Sequence, residues 1–340
     1  MSATNQLTEG PERISVLVRR LLMPANAAVR SRLRSSGMVV ALLLLMLVGS
    51  FLSPHFFTTG NLLNVARQMA IVGIVGIGMT YVILTAGIDL SVGSTVGFAA
   101  IAAAALLASG LPWPLACLLA LLAGALVGAI NGLGITVGGV QPFIMTLAML
   151  VIVRGVTMTY SNGQPISIRP VADDVAWIGT GTLLGLPVPV WILLFVTAIS
   201  AFVLRATPFG WHVYAVGGNL EAARRSGLGT RRTLIAAYTV SGLCAAISAL
   251  IIVSRLTAGE PSQGTGMELD AIAIVVIGGT SLFGGIGGVG GTLVGAGIIA
   301  VMANLLNLLG VSPFSQQIVK GLIILAAVLV EGRTEKRRGT

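Results

Sequence analysis

The chain has 340 residues, of which 55% are hydrophobic and only 9% are charged, and its formal net charge is +9. Soluble domains carry about 25% charged residues, so this composition cannot cover a domain with a water-facing surface. Apolar runs of about 20 residues, each long enough to cross about 30 Å of hydrocarbon as a helix, recur from Met38 to Val330. Open sheets would leave unsatisfied edges in lipid. We therefore predict an all-α polytopic membrane protein of about ten transmembrane helices.

The basic residues are clustered. Fifteen of the 20 lie in residues 13–34, 205–232 and 333–338, and each cluster flanks an apolar run. Cytoplasmic loops of membrane proteins carry an excess of Lys and Arg, so both termini and the 205–232 loop are predicted to be cytoplasmic. The same clustering argues against a nucleic-acid partner and makes the lipid bilayer the expected surroundings.

Breaks between the apolar runs divide the chain into three parts. Residues 1–37 are predicted to form a cytoplasmic tail, residues 38–330 a transmembrane domain, and residues 331–340 a basic cytoplasmic tail. Glycine-rich breaks make 80–95 and 267–292 candidates for half-helices. The predicted spans are 38–53, 65–86, 92–109, 113–135, 140–160, 188–204, 233–253, 267–283, 288–309 and 313–330.

The polar stretch 214–232 predicts a short helix. Asn219 can serve as its N-cap, Glu221 then lies in the first turn, where a negative charge favours the helix dipole, and Gly227 can supply the left-handed residue that closes it. The helix between them, at 220–226, has about two turns and little stability alone in water. It is therefore predicted to dock on a partner.

Asp89 is a carboxylate between two otherwise uncharged runs. At the centre of a membrane helix it would cost about 2.5–3.5 kcal/mol. It is interpreted either as a cap that bonds the amides near Ser91 and Val92, or as a gate residue. No other Asp or Glu is predicted well inside a span, which argues against a proton relay. The gate or helix-break candidates are Asp89, Ser91, Gly93, Gly284, Gly285 and Gly287.

Several polar side chains fall within the predicted spans. They are interpreted either as the lining of a solute path or as hydrogen bonds between helices. Arg67 and Arg154 lie near span ends, where long side chains can reach the membrane interface. The pathway candidates are Asn64, Gln68, Asn131 and Asn304.

The sequence carries no signal for catalysis or for a bound cofactor. His55 and His212 are too few for a metal site, and Cys117 and Cys244 both lie in apolar runs. No G-x-x-x-x-G-K-[ST] phosphate loop is present. The chain is therefore predicted to be no enzyme, and ATP-driven transport would need a partner that hydrolyses the ATP.

Three motifs carry a resemblance to a known family. Glu221–Gly227 (EAARRSG) is similar to the EAA signature of ABC-importer membrane subunits, and the longer stretch from Tyr214 (YAVGGN) to Gly227 is similar to its form in ribose-type permeases. Ala86–Gly93 (AGIDLSVG) and Gly278–Gly287 (GGTSLFGGIG) resemble two further family motifs. The chain thus resembles the ABC permeases of the ribose, xylose and arabinose type.

The resemblance implies a type II importer-like bundle with broken helices in a bacterial inner membrane. It implies a second permease copy in a homodimer, a partner ATPase that binds ATP and Mg, and a periplasmic binding protein that delivers a monosaccharide, a ribose-like pentose or a hexose. The loop at 205–232 would be the coupling loop, with Leu220 and Ala223 sharing the contact face. The implied coupling residues are Asn219, Leu220, Glu221, Ala222, Ala223, Arg224, Arg225 and Gly227.

Two alternatives remain open at this stage. An ABC permease for nucleosides or branched-chain amino acids would have the same architecture. An ion-coupled secondary transporter would need no ATPase, and the scarcity of carboxylates in the predicted spans argues against it.

Overall fold

The computed structural model describes residues 37–336, with side chains throughout that range except at 327, 328 and 330–336. The predicted cytoplasmic tail over residues 1–36 and the last residues of the basic tail, 337–340, lie outside the described part of the chain. Most of the described chain is α-helical, which confirms the fold class predicted from the composition.

The described chain contains thirteen α-helices, one 3₁₀ turn at Arg169–Val171 and four two-residue strands. Strands β1 and β4 pair antiparallel, as do β2 and β3, so they fasten connections between helices. The strands are β1 (Ile166–Ser167), β2 (Thr182–Leu183), β3 (Leu186–Pro187) and β4 (Ala258–Gly259). The helices are α1 (Gly37–Leu52), α2 (Thr59–Leu84), α3 (Val92–Ala108), α4 (Trp113–Thr136), α5 (Pro142–Ser161), α6 (Ala172–Gly179), α7 (Val188–Ala206), α8 (Pro208–Gly218), α9 (Leu220–Arg225), α10 (Thr230–Leu256), α11 (Met267–Ile277), α12 (Val289–Leu308) and α13 (Pro313–Lys336).

Each of the ten predicted spans overlaps one helix. These helices are α1 to α5, α7, and α10 to α13. Six of these helices (α2, α4, α5, α7, α10 and α12) are long and apolar enough to cross a membrane, and α1 and α3 are apolar but shorter. The span predicted at 267–283 is wrong at its end, because α11 stops at Ile277 and Gly279, with φ +79°, turns the chain. Helix α13 continues to Lys336, into the predicted basic tail.

Helices α2 and α10 form the centre of the bundle. In their most apolar windows 72% and 61% of the residues are buried, against 28% for α4 and 22% for α5. Helix α10 lies antiparallel to α4, and a Cβ on Gly128 or Gly242 would collide with the backbone carbonyl of the facing helix. Small residues at such contacts allow membrane helices to approach closely. The outer faces of α4 and α5 expose mostly Leu, Ile, Val and Phe, which suits lipid.

Three non-helical segments interrupt the bundle. Residues 85–91 join α2 to α3, with Ala86 at φ +60°. Residues 257–266, called here the non-helical segment, join α10 to α11 and include β4. A third break, at 278–288, follows α11 and is rich in glycine. Helices α8 and α9 lie at one end of the bundle, the α9 end, where the first and third of these breaks meet α8.

Candidate coupling region and gate

Helix α9 is short and is closed at both of its ends. The Asn219 side-chain carbonyl accepts a hydrogen bond from the Ala222 amide at 2.9 Å, which confirms the predicted N-cap. Gly227 has φ +80°, and its amide and that of the next residue bond carbonyls in the last turn of α9. This arrangement is a Schellman C-cap, in which glycine adopts the left-handed conformation without strain. Its caps therefore define both ends of α9.

The outer surface of α9 is basic and carries one large apolar side chain. Leu220 is 50% exposed, and Arg224 and Arg225 are exposed as well. Glu221 pairs with Arg225 at 2.9 Å, but both groups face solvent, so the pair contributes little stability. Ala223 is only 5% exposed. Leu220 and Ala223, which were predicted to share the contact face, therefore differ in exposure, because α9 packs onto α8 and α10 and turns Ala223 inward.

Replacing Gly227 by alanine should weaken the C-terminal closure of α9. Its φ of +80° costs an L-residue roughly 1–2 kcal/mol, although a Cβ there would meet no atom within 4 Å. We expect a lower midpoint of thermal unfolding in detergent. Gly229→Ala is the matched control, since Gly229 has φ −72°. An equal loss in both variants would contradict the importance of this closure.

The end of α8 contacts the 278–288 break and Leu84, the last residue of α2 before the 85–91 break, and we call this contact the α8 junction. The Gly285 amide donates to the Leu84 carbonyl at 2.9 Å, and the Tyr214 hydroxyl donates to the Gly287 carbonyl at 3.0 Å. A Cβ on Gly217 would collide with the Leu84 carbonyl oxygen and lie 2.7 Å from the Gly285 amide nitrogen. Gly284 lies against both Gly217 and Ala86, so the three motifs of the sequence, far apart along the chain, meet at this junction.

The Tyr214 hydroxyl stays a hydrogen-bond donor at neutral pH. Burial raises its pKa above the ordinary value, and the nearby Arg205 lowers it by a smaller amount. The proton therefore remains on the oxygen that bonds Gly287.

Asp89 is 1% exposed and has three donors. One carboxylate oxygen accepts from the Ser91 amide at 3.0 Å and from the Ser91 hydroxyl at 2.6 Å, and the other accepts from the Ser241 hydroxyl at 2.8 Å. The Asn131 amide donates to the Ser91 hydroxyl at 2.8 Å. These bonds offset the cost of burying a carboxylate and tie the start of α3 to α4 and α10. The predicted bond to the Ser91 amide is confirmed, but Asp89 is not the N-cap of α3, because that position is occupied by Ser91, two residues further on. The gating role stays a prediction.

The predicted pathway residues fall into two groups. Asn131, in the Asp89 cluster, and Asn304 bond neighbouring elements; Asn304 exchanges two hydrogen bonds, of 2.7 and 3.0 Å, with Asn61. These contacts match the helix-to-helix interpretation. Asn64 is exposed, and Gln68 lines a cleft. The pathway role of all four residues stays a prediction.

Arg154 has a different environment from the one predicted. Its guanidinium donates to the Pro261 carbonyl at 2.6 Å and to the Gln263 carbonyl at 3.0 Å. It therefore points into the protein and satisfies the backbone of the non-helical segment. The prediction that Arg154 extends to the membrane interface is wrong, because its guanidinium bonds these two backbone carbonyls instead.

A buried ion pair joins α11 to α13. The Lys320 ammonium lies 2.9 Å from the Asp270 carboxylate, and only 13% of the Asp270 side chain is exposed. Asp270 lies in the first turn of α11, at the start of the span predicted from residue 267. The two residues are 50 positions apart in sequence, so no local pattern reveals their contact.

The long apolar helices, the glycine-rich breaks and the capped basic helix define a multi-pass membrane protein with the architecture of a transport permease. Within the described residues, no three His, Cys, Asp or Glu side chains group to hold a metal ion. Residues 61–328 match the family described as "Branched-chain amino acid transport system / permease component". The chain belongs to this family of transport permeases.

The curated relatives are similar over most of their length. The ribose import permease protein RbsC of Haemophilus influenzae is 45% identical, covering 86% of this chain and 91% of the relative. The protein of the same name from Bacillus subtilis is 44% identical, covering 87% and 92%. The xylose transport system permease protein XylH of Escherichia coli is 35% identical, covering 88% and 92%. No solved structure matches the chain.

Proposed function

We propose that the chain is the permease subunit of an ABC importer that moves a monosaccharide across a bacterial inner membrane. Family membership supports the transport class, and relatives named for ribose and xylose support the solute class. The observation that carries the coupling part of the proposal is α9, an exposed basic helix with defined ends. A second copy, an ATPase with bound ATP and Mg, and a periplasmic binding protein would complete the importer. Both termini would be cytoplasmic.

The proposed mechanism begins at α9. Leu220 enters a cleft of the partner ATPase, and Arg224 and Arg225 face acidic residues at its rim. Because α8 contacts the 278–288 break and Leu84, which directly precedes the 85–91 break, a displacement of α9 is transmitted through the α8 junction to both segments. Those segments then open the path on one side of the membrane while they close it on the other.

The solute class is tested by uptake into proteoliposomes that contain the chain, its ATPase and its binding protein. We expect ATP-dependent uptake of labelled ribose or xylose and none of leucine. Uptake of leucine alone would favour the amino-acid alternative. Uptake by the purified chain without an ATPase, abolished when a proton or sodium gradient collapses, would contradict the ABC mechanism.

Changing Leu220 to aspartate should disrupt docking of the ATPase. An apolar anchor in an interface contributes on the order of 2 kcal/mol, so the affinity for the ATPase should fall about 30-fold. The control is Leu184→Asp, at the turn between β2 and β3, where Leu184 is 83% exposed. Binding of the detergent-solubilised chain to immobilised ATPase provides the measurement. Equal affinities for the two variants would exclude α9 as the docking element.

A further inference from the structure

The non-helical segment lies deep within the membrane-crossing part of the bundle. A Cβ on Gly259 would meet Ala100 and Ala104, in the second half of α3, whereas Gly264 touches Gly93, near its start. From Gly93 to Ala108, α3 rises about 22 Å, at about 1.5 Å per residue. Gly264 therefore lies roughly that far below the end of α3, which places the segment at the depth of the hydrocarbon.

Backbone at this depth cannot face lipid, because its polar groups would lack partners. Some of these backbone groups have hydrogen-bond partners inside the protein. Arg154 donates to two of the carbonyls, and the Gln263 amide donates to the Glu260 carbonyl at 3.0 Å. The outward side chains are nevertheless polar, since Glu260, Ser262 and Thr265 are exposed. Lipid-facing α4, by contrast, exposes a stripe of leucines. The exposed side of the non-helical segment therefore suits water.

A cleft beside the segment has room for a small hydroxylated molecule. Its volume is about 220 Å³, and it lies between α2, α10 and the non-helical segment. Two amide side chains and one guanidinium, from Gln68, Gln263 and Arg255, share its wall with five apolar residues, Ile71, Val72, Ile252, Leu256 and Met267. Amides both donate to and accept from hydroxyl groups, and apolar walls suit the C–H faces of a sugar ring.

We propose that the non-helical segment and Gln68 form the wall of a water-filled solute path, with the cleft as a subsite for a neutral polyhydroxylated solute. Arg154 is the positioning residue that holds this wall in place. The identity of the solute rests on the proposed function, whereas the presence of water along the wall is independent of that function.

Thiol accessibility tests the wall. In a Cys117→Ala, Cys244→Ala background, Ser262→Cys or Thr265→Cys is placed in proteoliposomes with a charged methanethiosulfonate reagent on both sides. Leu122→Cys, on the lipid-facing side of α4, is the control, since Leu122 is 55% exposed. We expect labelling of the first two at least tenfold faster than the control, because the reagent reacts with thiolate in water. Labelling of both as slow as the control would overturn the proposal.

Two further measurements test the solute subsite and the positioning role of Arg154 separately from the presence of water. Ribose, added with its binding protein and the ATPase, should slow labelling at Ser262→Cys. Unchanged labelling would contradict the solute subsite but not the presence of water along the wall. Arg154→Met, added to Thr265→Cys, should change the labelling rate at least threefold in chains that still bind the ATPase. An unchanged rate would exclude Arg154 as the positioning residue.

Discussion

Gly217→Ala is expected to abolish most ATP-driven uptake while the chain still binds its ATPase. A Cβ at this position would collide with the Leu84 carbonyl, so α8 and the α2–α3 break must separate. Overpacking of this kind costs about 1–3 kcal/mol, and here it also weakens the contact that joins α9 to the breaks. The measurement is the ratio of solute imported to ATP hydrolysed, which should fall at least tenfold.

Gly218→Ala is the matched control for this prediction. Gly218 is the next residue of α8, and a Cβ there would meet no atom within 4 Å. Its import ratio should equal that of the unaltered protein. Should the two variants lose coupling to the same extent, the α8 junction would not be the route from α9 to the breaks.

Lys320→Met should cause the largest loss of stability. It leaves the Asp270 carboxylate charged, largely buried and without its partner. Breaking a buried ion pair on one side costs about 3–5 kcal/mol. The midpoint of thermal unfolding in detergent should fall clearly, and the amount of folded protein in the membrane should fall with it.

The double variant Asp270→Leu, Lys320→Met should recover much of this loss, because apolar replacement of both partners is often close to neutral. Recovery measures the coupling between the two groups. A double variant as unstable as Lys320→Met plus the separate effect of Asp270→Leu would show that the two residues act independently.

The sequence predicts those features that depend on short stretches. Hydrophobic runs locate the membrane helices, since each run must be apolar along its own length. The ends of α9 follow from Asn219 and Gly227, because caps act within one turn. The bond from Asp89 to the Ser91 amide is equally local.

Contacts between distant elements were not predictable in this way. Arg154 near the end of an apolar run looks like an interface residue until its acceptors on the non-helical segment are known. The sequence marks 267–292 as a candidate for a half-helix, but it does not place the end of α11 at Ile277, because the glycines that follow are also common in membrane helices. Ala223 and Leu220 lie three residues apart, which suggests a shared face, but packing of α9 on its neighbours decides which side is exposed.

The bonds of Arg154 also impose an order on biosynthesis. Its nearer acceptor, Pro261, is 107 residues further along the chain. At a translation rate of about 5–20 residues per second, roughly 5–20 s pass between the synthesis of Arg154 and that of Pro261. During this interval the two carbonyls that accept from this guanidinium in the folded protein have not yet been made. The final packing of α5 therefore depends on synthesis of the second half of the protein.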